Sequence, residues 1–114
     1  MDTIEERPVI DASIEVAVEN EQHEYYAAGE TIIQQGDSSR HACKLIAGEA
    51  KVFKSGDVIG TIRPGEIFGA IAALTSARRA ASVIANGSCV VQRIERRKFL
   101  AMIKLDPGLL AKIK

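Results

Sequence analysis

The sequence predicts one small, mainly β domain with flanking helices, of the sandwich, barrel or jelly-roll kind. Three observations predict it. From Tyr25 to Val91 the chain is a succession of short β-rich runs broken by Gly29, Gly36, Gly48, Gly56, Gly60, Gly65 and Gly87, and strands at such short spacing build sheets that pack on or close around one another. Hydrophobic residues make up 46% of the 114 residues while aromatics are only 4% and Trp is absent, so the core is built from Ile, Val, Leu and Ala. Helical patterning enters only as a short interruption near residue 70 and again after Glu95. A chain of this length suits a single domain spanning 1–114, burying about two-thirds of the surface that the unfolded chain exposes.

Residues 1–20 form an N-terminal extension. Within it, Ile14-Glu15-Val16-Ala17-Val18-Glu19 places apolar side chains on every second position, a half-buried strand pattern. The clearest strands follow at Thr31-Ile32-Ile33, Cys43–Ile46, Ala50–Phe53, Val58–Ile62 and Ala80–Ile84, and Cys89–Ile94 closes the series. Ser55-Gly56-Asp57 supplies the turn between two of them. Gly69-Ala70-Ile71-Ala72-Ala73-Leu74 is rich in good helix formers but too short for an independent helix. The C-terminal helices occupy 95–114: the first starts near Glu95 with Phe99, Leu100 and Ile103 on its apolar face. The second is announced by Asp106 as N-cap and Pro107 at the first helical position, with Leu109, Leu110 and Ile113 inward.

Charge sums to zero but is unevenly placed, with nine acids and one base in residues 1–30 against nine bases and two acids in 78–114. The two ends are therefore expected to attract each other. Arg93, Arg96, Arg97 and Lys98 have no interleaved aromatic residues and no recognition-helix signature, so a solvated helix face is expected there and no nucleic-acid partner. No apolar run approaches the roughly 20 residues of a membrane span. The acidic start Met1–Glu6 lacks the basic and apolar regions of a signal peptide, so the expectation is a cytoplasmic protein without a membrane partner. Cys43 and Cys89 lie far apart without metal-ligand spacing and are expected as two core thiols.

The stretch with chemical content runs from Pro64 to Val83. It reads as a Gly turn, a short helix start, a loop and a strand opening with Arg. A helix start presents unsatisfied backbone N–H groups and partial positive charge. Gly69 has no side chain to keep a ligand from the backbone, and an Arg carried back by the next strand adds a fork of donors that fits phosphate oxygens. Together these features describe a phosphate cradle.

This segment resembles the phosphate-binding cassette of the cyclic nucleotide-binding domain family, shared by catabolite-activator-type regulators, protein kinase A regulatory subunits and nucleotide-gated channels. The family pattern is Phe-Gly-Glu, a few small or apolar residues, Leu, a short loop, then Arg-x-Ala-Thr/Ser-Val. The match lies in Phe68-Gly69, Ala72, Leu74 and Arg79-Ala80-Ala81-Ser82-Val83. Tyr26–Asp37 is similar to the family's opening strand pair, Leu45–Val52 to its next hairpin, and Val91–Ile113 to its closing strand and helix pair, so that about 90 residues are covered. The resemblance implies a double-stranded β-helix, that is, a jelly-roll-like β-roll with a short cassette helix. It also implies that Arg79 and the backbone amides of Ala70, Ile71 and Ala72 hold a ligand phosphate in a pocket formed with Phe68, Gly69, Ala80, Ala81 and Ser82. The implied ligand is cyclic AMP (cAMP), cyclic GMP (cGMP) or another small anion, with no cofactor.

One departure stands at position 70, where the family has a Glu that accepts hydrogen bonds from the ribose 2′-hydroxyl and this chain has Ala70. Weakened nucleotide binding is the expected result, and a ligand-free β-roll serving as a protein–protein interaction domain is the alternative. In the family a further helix usually caps the base and carries dimer contacts, and Lys114 precedes it. The lid is then missing or supplied from elsewhere. Output is expected through a protein partner or homodimer, or else the chain is a fragment of a longer protein. For Arg79 the competing expectation is a pair with a carboxylate such as Glu66. Arg78, standing where the family often has Pro, is expected to face solvent. Glu30, Asp37, Glu49 and Asp57 flank turns, Ser38, Ser39 and Ser76 read as loop residues, and His23 with His41 are too few for a metal centre. No Cys/His or Ser/His spacing asks for a nucleophile, so no enzyme activity is expected.

Overall fold

In the computed structural model, which describes residues 22–113, the Gly-punctuated runs pair into two four-stranded antiparallel sheets. In chain order the strands are β1 (Gln22–Tyr26), β2 (Thr31–Ile33), β3 (Ala42–Ala47), β4 (Ala50–Lys54), β5 (Asp57–Ile62), β6 (Ile67–Phe68), β7 (Ser82–Ala85) and β8 (Cys89–Ile94). One sheet runs β1-β8-β3-β6 and the other β2-β7-β4-β5; apart from the β4–β5 hairpin, successive strands alternate between sheets and the chain rolls up on itself. This is the expected β-roll. The strand pattern proposed for Ile14–Glu19, the N-terminal extension and its attraction to the basic end lie outside the described residues.

The side-chain alternation of a strand decides what each face of the first sheet meets. Cys43 and Leu45 of β3 and Cys89 and Val91 of β8 point into the space between the sheets, where Ile33, Ala50, Ile62, Phe68, Val83 and Ala85 meet them. Both thiols are free and buried in that core, as the spacing of Cys43 and Cys89 suggested. Ala42 and Ile94, on the opposite face, pack with Ile67, Ala70, Ala73 and Phe99 in a second cluster. Strand β8 thus serves two cores: Cys89 and Val91 face the roll, and Ile94 sits under the helices.

Helix α1 spans Ala70–Thr75 and helix α2 spans Arg96–Leu105. Helix α1 stops because Ser76 takes a left-handed conformation, φ 65°, and its N–H donates to the Ala72 carbonyl. Helix α2 opens without a side-chain cap, since the Glu95 carboxylate accepts instead from Arg93 Nε at 2.7 Å. Its first turn carries Arg96, Arg97 and Lys98 at the end where the backbone dipole disfavours cations. Tertiary packing holds the helix: Phe99 is fully buried, with Met102 and Ile103 against the same cluster.

Four helix expectations and one strand boundary need correction. Leu100 does not share the inner face; it points partly outward, 100° around from Phe99 on a helical wheel. The segment Pro107–Lys112 is a 3₁₀ turn rather than an α-helix, and Asp106 makes no side-chain cap. Its tighter winding turns Leu110 to solvent while Leu109 and Ile113 stay against the cluster. Strand β7 begins at Ser82, two residues later than read, where pairing with Phe53 of β4 starts; Ala80 and Ala81 line the cavity described below. Among the described residues no helix is long and apolar enough to cross a membrane.

Candidate functional site

The site is organised by one cation. Arg79 precedes β7, and its backbone is pinned by two bonds to the turn after β2: Arg79 N–H donates to the Asp37 carbonyl and Gly36 N–H donates to the Arg79 carbonyl, both at 2.8 Å. The side chain runs inward and is only 4% exposed. Its Nη1 donates to the Gly69 carbonyl at 2.7 Å, Nη2 to the His41 carbonyl at 2.7 Å, and Nε to Ser39 Oγ at 3.1 Å. None of these acceptors is a carboxylate. The competing pair with Glu66 does not form; that carboxylate accepts from Arg63 N–H at 2.7 Å.

Burial lowers the Arg79 pKa from its ordinary value. The neighbouring Cys43 thiol, pushed up to about 12 by burial, is neutral at physiological pH and offers no counter-charge, which leaves Asp37 as the acidic group that favours the cation. A guanidinium stays protonated in proteins. Arg79 is therefore a buried positive charge held by dipoles, with two of its five N–H groups beyond those three bonds, and such a charge is costly until an anion meets it.

Gly69 has a reason to be glycine other than ligand approach. Its φ is +72°, and a Cβ there would lie 2.8 Å from Arg79 Nη1 and 3.0 Å from Ile33 Cδ1. The missing side chain makes room for the protein's own guanidinium, which Gly69 also anchors through its carbonyl.

Beside Arg79 lies a cavity of about 260 Å³. Helix α1 and the residues before it contribute Phe68, Gly69, Ile71 and Ala72, and the segment entering β7 contributes Arg79, Ala80 and Ala81. Ile33, Val52, Ile62 and Val83 form the floor, and Ala77 and Arg78 stand at the edge. Sequence reasoning put none of the floor residues in the pocket, because they come from four strands, β2, β4, β5 and β7, that only pairing into one sheet brings together.

Two expected site residues sit elsewhere. Ala70 is wholly buried in the cluster beneath α2, and Ser82 uses its hydroxyl to accept from Gln35 N–H at 2.8 Å; neither lines the cavity. Arg78 is exposed as read, and its Nη1 also donates to the Gly36 carbonyl at 3.0 Å. Ser39 and His41, taken as a loop residue and a spare histidine, turn out to orient Arg79. They lie 40 and 38 positions from it in sequence, so no local pattern marks them. Glu30 and Asp37 do flank turns, accepting from Ala27 N–H and Ser38 N–H. No group of three or more potential metal-binding side chains occurs among the described residues.

Residues 23–106 match the model of a single family, the cyclic nucleotide-binding domain. The chain belongs to that family. Among curated relatives of this cyclic nucleotide-binding domain is the cAMP-dependent protein kinase regulatory subunit of Hypocrea atroviridis, 34% identical over 89 residues, covering 78% of this chain and 19% of the relative. The domain thus spans about a fifth of the length of that relative. Among solved structures, cAMP-bound PfPKA-R superposes with a TM-score of 0.74 at 30% identity, over 82% of this chain and 33% of that one. The catabolite activator protein of Thermus thermophilus shares the fold, with a TM-score of 0.71 at 24% identity over 91% of this chain and 51% of that one.

Proposed function

We propose that this cyclic nucleotide-binding domain is a regulatory module that takes a cyclic nucleotide or a similar small anionic ligand into the cavity beside Arg79. The observation that carries the reading is a buried guanidinium with no carboxylate partner among the described residues, in the wall of a cavity lined otherwise by carbon apart from the exposed Arg78. The ligand phosphate pairs with Arg79, the peptide N–H groups of Ala70, Ile71 and Ala72 face the same charge, and Phe68, Gly69, Ala80 and Ala81 shape the walls. Ala70 and Ser82 act from behind, by packing and by holding the Gln35 backbone. Affinity is reduced because, among the described residues, no carboxylate lines the cavity to meet the sugar; losing a hydrogen bond to a charged group costs about 1.5–3 kcal/mol, roughly tenfold to a hundredfold.

The response leaves through α1. Ala72 lines the cavity while Ala70 and Ala73 of the same helix lie in the cluster with Phe99, and Arg96 Nε at the start of α2 donates to the Ala73 carbonyl at 2.9 Å. A ligand that moves α1 moves the contacts of α2, and a protein partner or second copy of the chain reads that change. Titration calorimetry of the chain with cAMP, cGMP and cyclic dinucleotides tests the proposal. Saturable binding to one of them, lost by at least about tenfold in a folded Arg79→Ala variant, is expected. Equal heats for both proteins remove Arg79 from the site, and silence from every ligand favours a ligand-free interaction domain, the reading to which Ala70 lends weight.

A further inference from the structure

Resting on the cavity reading above, we infer that this site selects an anionic phosphate ester by its charge and apolar surface and gives no recognition to the ligand's sugar hydroxyl. Among the described residues, the side chains lining the cavity are two guanidinium groups, Arg78 and Arg79, and otherwise only carbon. Arginine donates and cannot accept. The cavity is therefore rich in donors and has no side-chain acceptor.

A hydroxyl entering this space needs an acceptor for its proton once it loses water. The hydroxyl best placed by sequence to serve, Ser82, lies outside the lining and is occupied by Gln35 N–H. Of the nearby carbonyls, Gly69 already accepts from Arg79 Nη1, Ile71 from Thr75 Oγ1, Ala72 from Ser76 N–H and Arg79 from Gly36 N–H, which leaves each of these four one lone pair and no charged acceptor. Position 70 cannot help, since Ala70 is buried on the other side of α1 among Ala42, Ile67 and Phe99. Anion recognition and hydroxyl recognition are thus separated here, and the first is present without the second.

The expectation is that removing or masking the sugar hydroxyl leaves binding intact. Dissociation constants of the full chain are measured for cAMP, 2′-deoxy-cAMP and 2′-O-methyl-cAMP. The three values agree within about threefold, or the methyl ether binds more tightly, if the cavity holds no side-chain acceptor for the hydroxyl. A preference of tenfold or more for cAMP over its 2′-deoxy analogue, the worth of about one hydrogen bond, overturns the inference while leaving nucleotide binding in place. Binding of none of the three overturns the inference together with the function on which it rests.

Discussion

The two hydrophobic clusters on either side of the β1-β8-β3-β6 sheet are built by different physics. The roll interior is enclosed by strands from both sheets, so Leu45, Ile62, Phe68 and Val91 are fixed by hydrogen-bond ladders that run behind each of them. The outer cluster is roofed by α2 and the 3₁₀ turn, and within α2 only Phe99 is buried. That helix begins uncapped and with three cations against its dipole, so it stays in place through packing rather than through its own preferences. A rigid shell that holds the cavity is joined to a lightly held reporter, and α1 contributes to both.

The comparison is tested most severely by truncating one large side chain in each region. Phe99→Ala is expected to cost about 3–5 kcal/mol, and hydrogen exchange should show α2 and Pro107–Lys112 exposed while the β-ladders stay protected. Leu45→Ala, at about 2–5 kcal/mol, is expected to loosen the whole roll. Equal loss of protection everywhere in both variants would break the distinction.

Two glycines sharpen it next. Gly48 has φ +93° and a Cβ there would run into the Ser88 carbonyl oxygen, which is backbone and cannot swing aside. Gly69 has φ +72° and would meet the movable Arg79 side chain. Gly48→Ala is expected to lower stability by about 1–3 kcal/mol with little change in ligand affinity per folded molecule, whereas Gly69→Ala should lower both, by displacing the guanidinium. Urea denaturation and calorimetry on the two variants separate these outcomes.

Arg96→Ala removes the hydrogen bond that ties the start of α2 to the Ala73 carbonyl. Its stability effect is expected to be small, but ligand-induced changes in exchange across α2 should shrink while ligand affinity holds. An unchanged response would place the coupling in the apolar contacts of Ala70 and Ala73 instead.

The smallest effect concerns His41, whose ring Nδ1 is buried without a hydrogen-bond partner among the described residues. Burial first, then Arg93 and Arg79, hold its pKa below the ordinary value. The unfolded chain therefore takes up a proton near pH 6.5 while the folded chain does not until lower pH. This contribution to stability is present above about pH 6.5 and is lost as the pH falls through the depressed value. Melting temperatures measured between pH 7.5 and 5 should fall less steeply in His41→Gln than in the parent chain.

How much of this was legible beforehand varied with the range of the interaction. Cys89–Ile94, Ala50–Phe53 and the Ser55-Gly56 turn could be read because alternation and turn chemistry are local. The two residues of β6 and the whole of β1 could not, since Ile67-Phe68 and Gln22–Tyr26 become strands by pairing with β3 and β8. The same limit applied to the site. Arg79 and Gly69 stood out in one continuous motif, but Ser39 and His41 became its supports only when the turn after β2 was laid beside the entry to β7.

Taken alone, the order of residues determined a mainly β domain of the sandwich, barrel or jelly-roll kind, which the family resemblance narrowed to a β-roll, two buried thiols, and a Phe-Gly followed by an Arg at the spacing of a phosphate cassette, because period, turn and motif are properties of near neighbours. Tertiary structure alone decided that the guanidinium points inward onto carbonyls and a hydroxyl, that Ala70 faces the helices instead of the cavity, and that Leu110 turns to solvent. Each of these depends on which distant surface a side chain meets, and burial and charge compensation are set by those encounters rather than by sequence spacing.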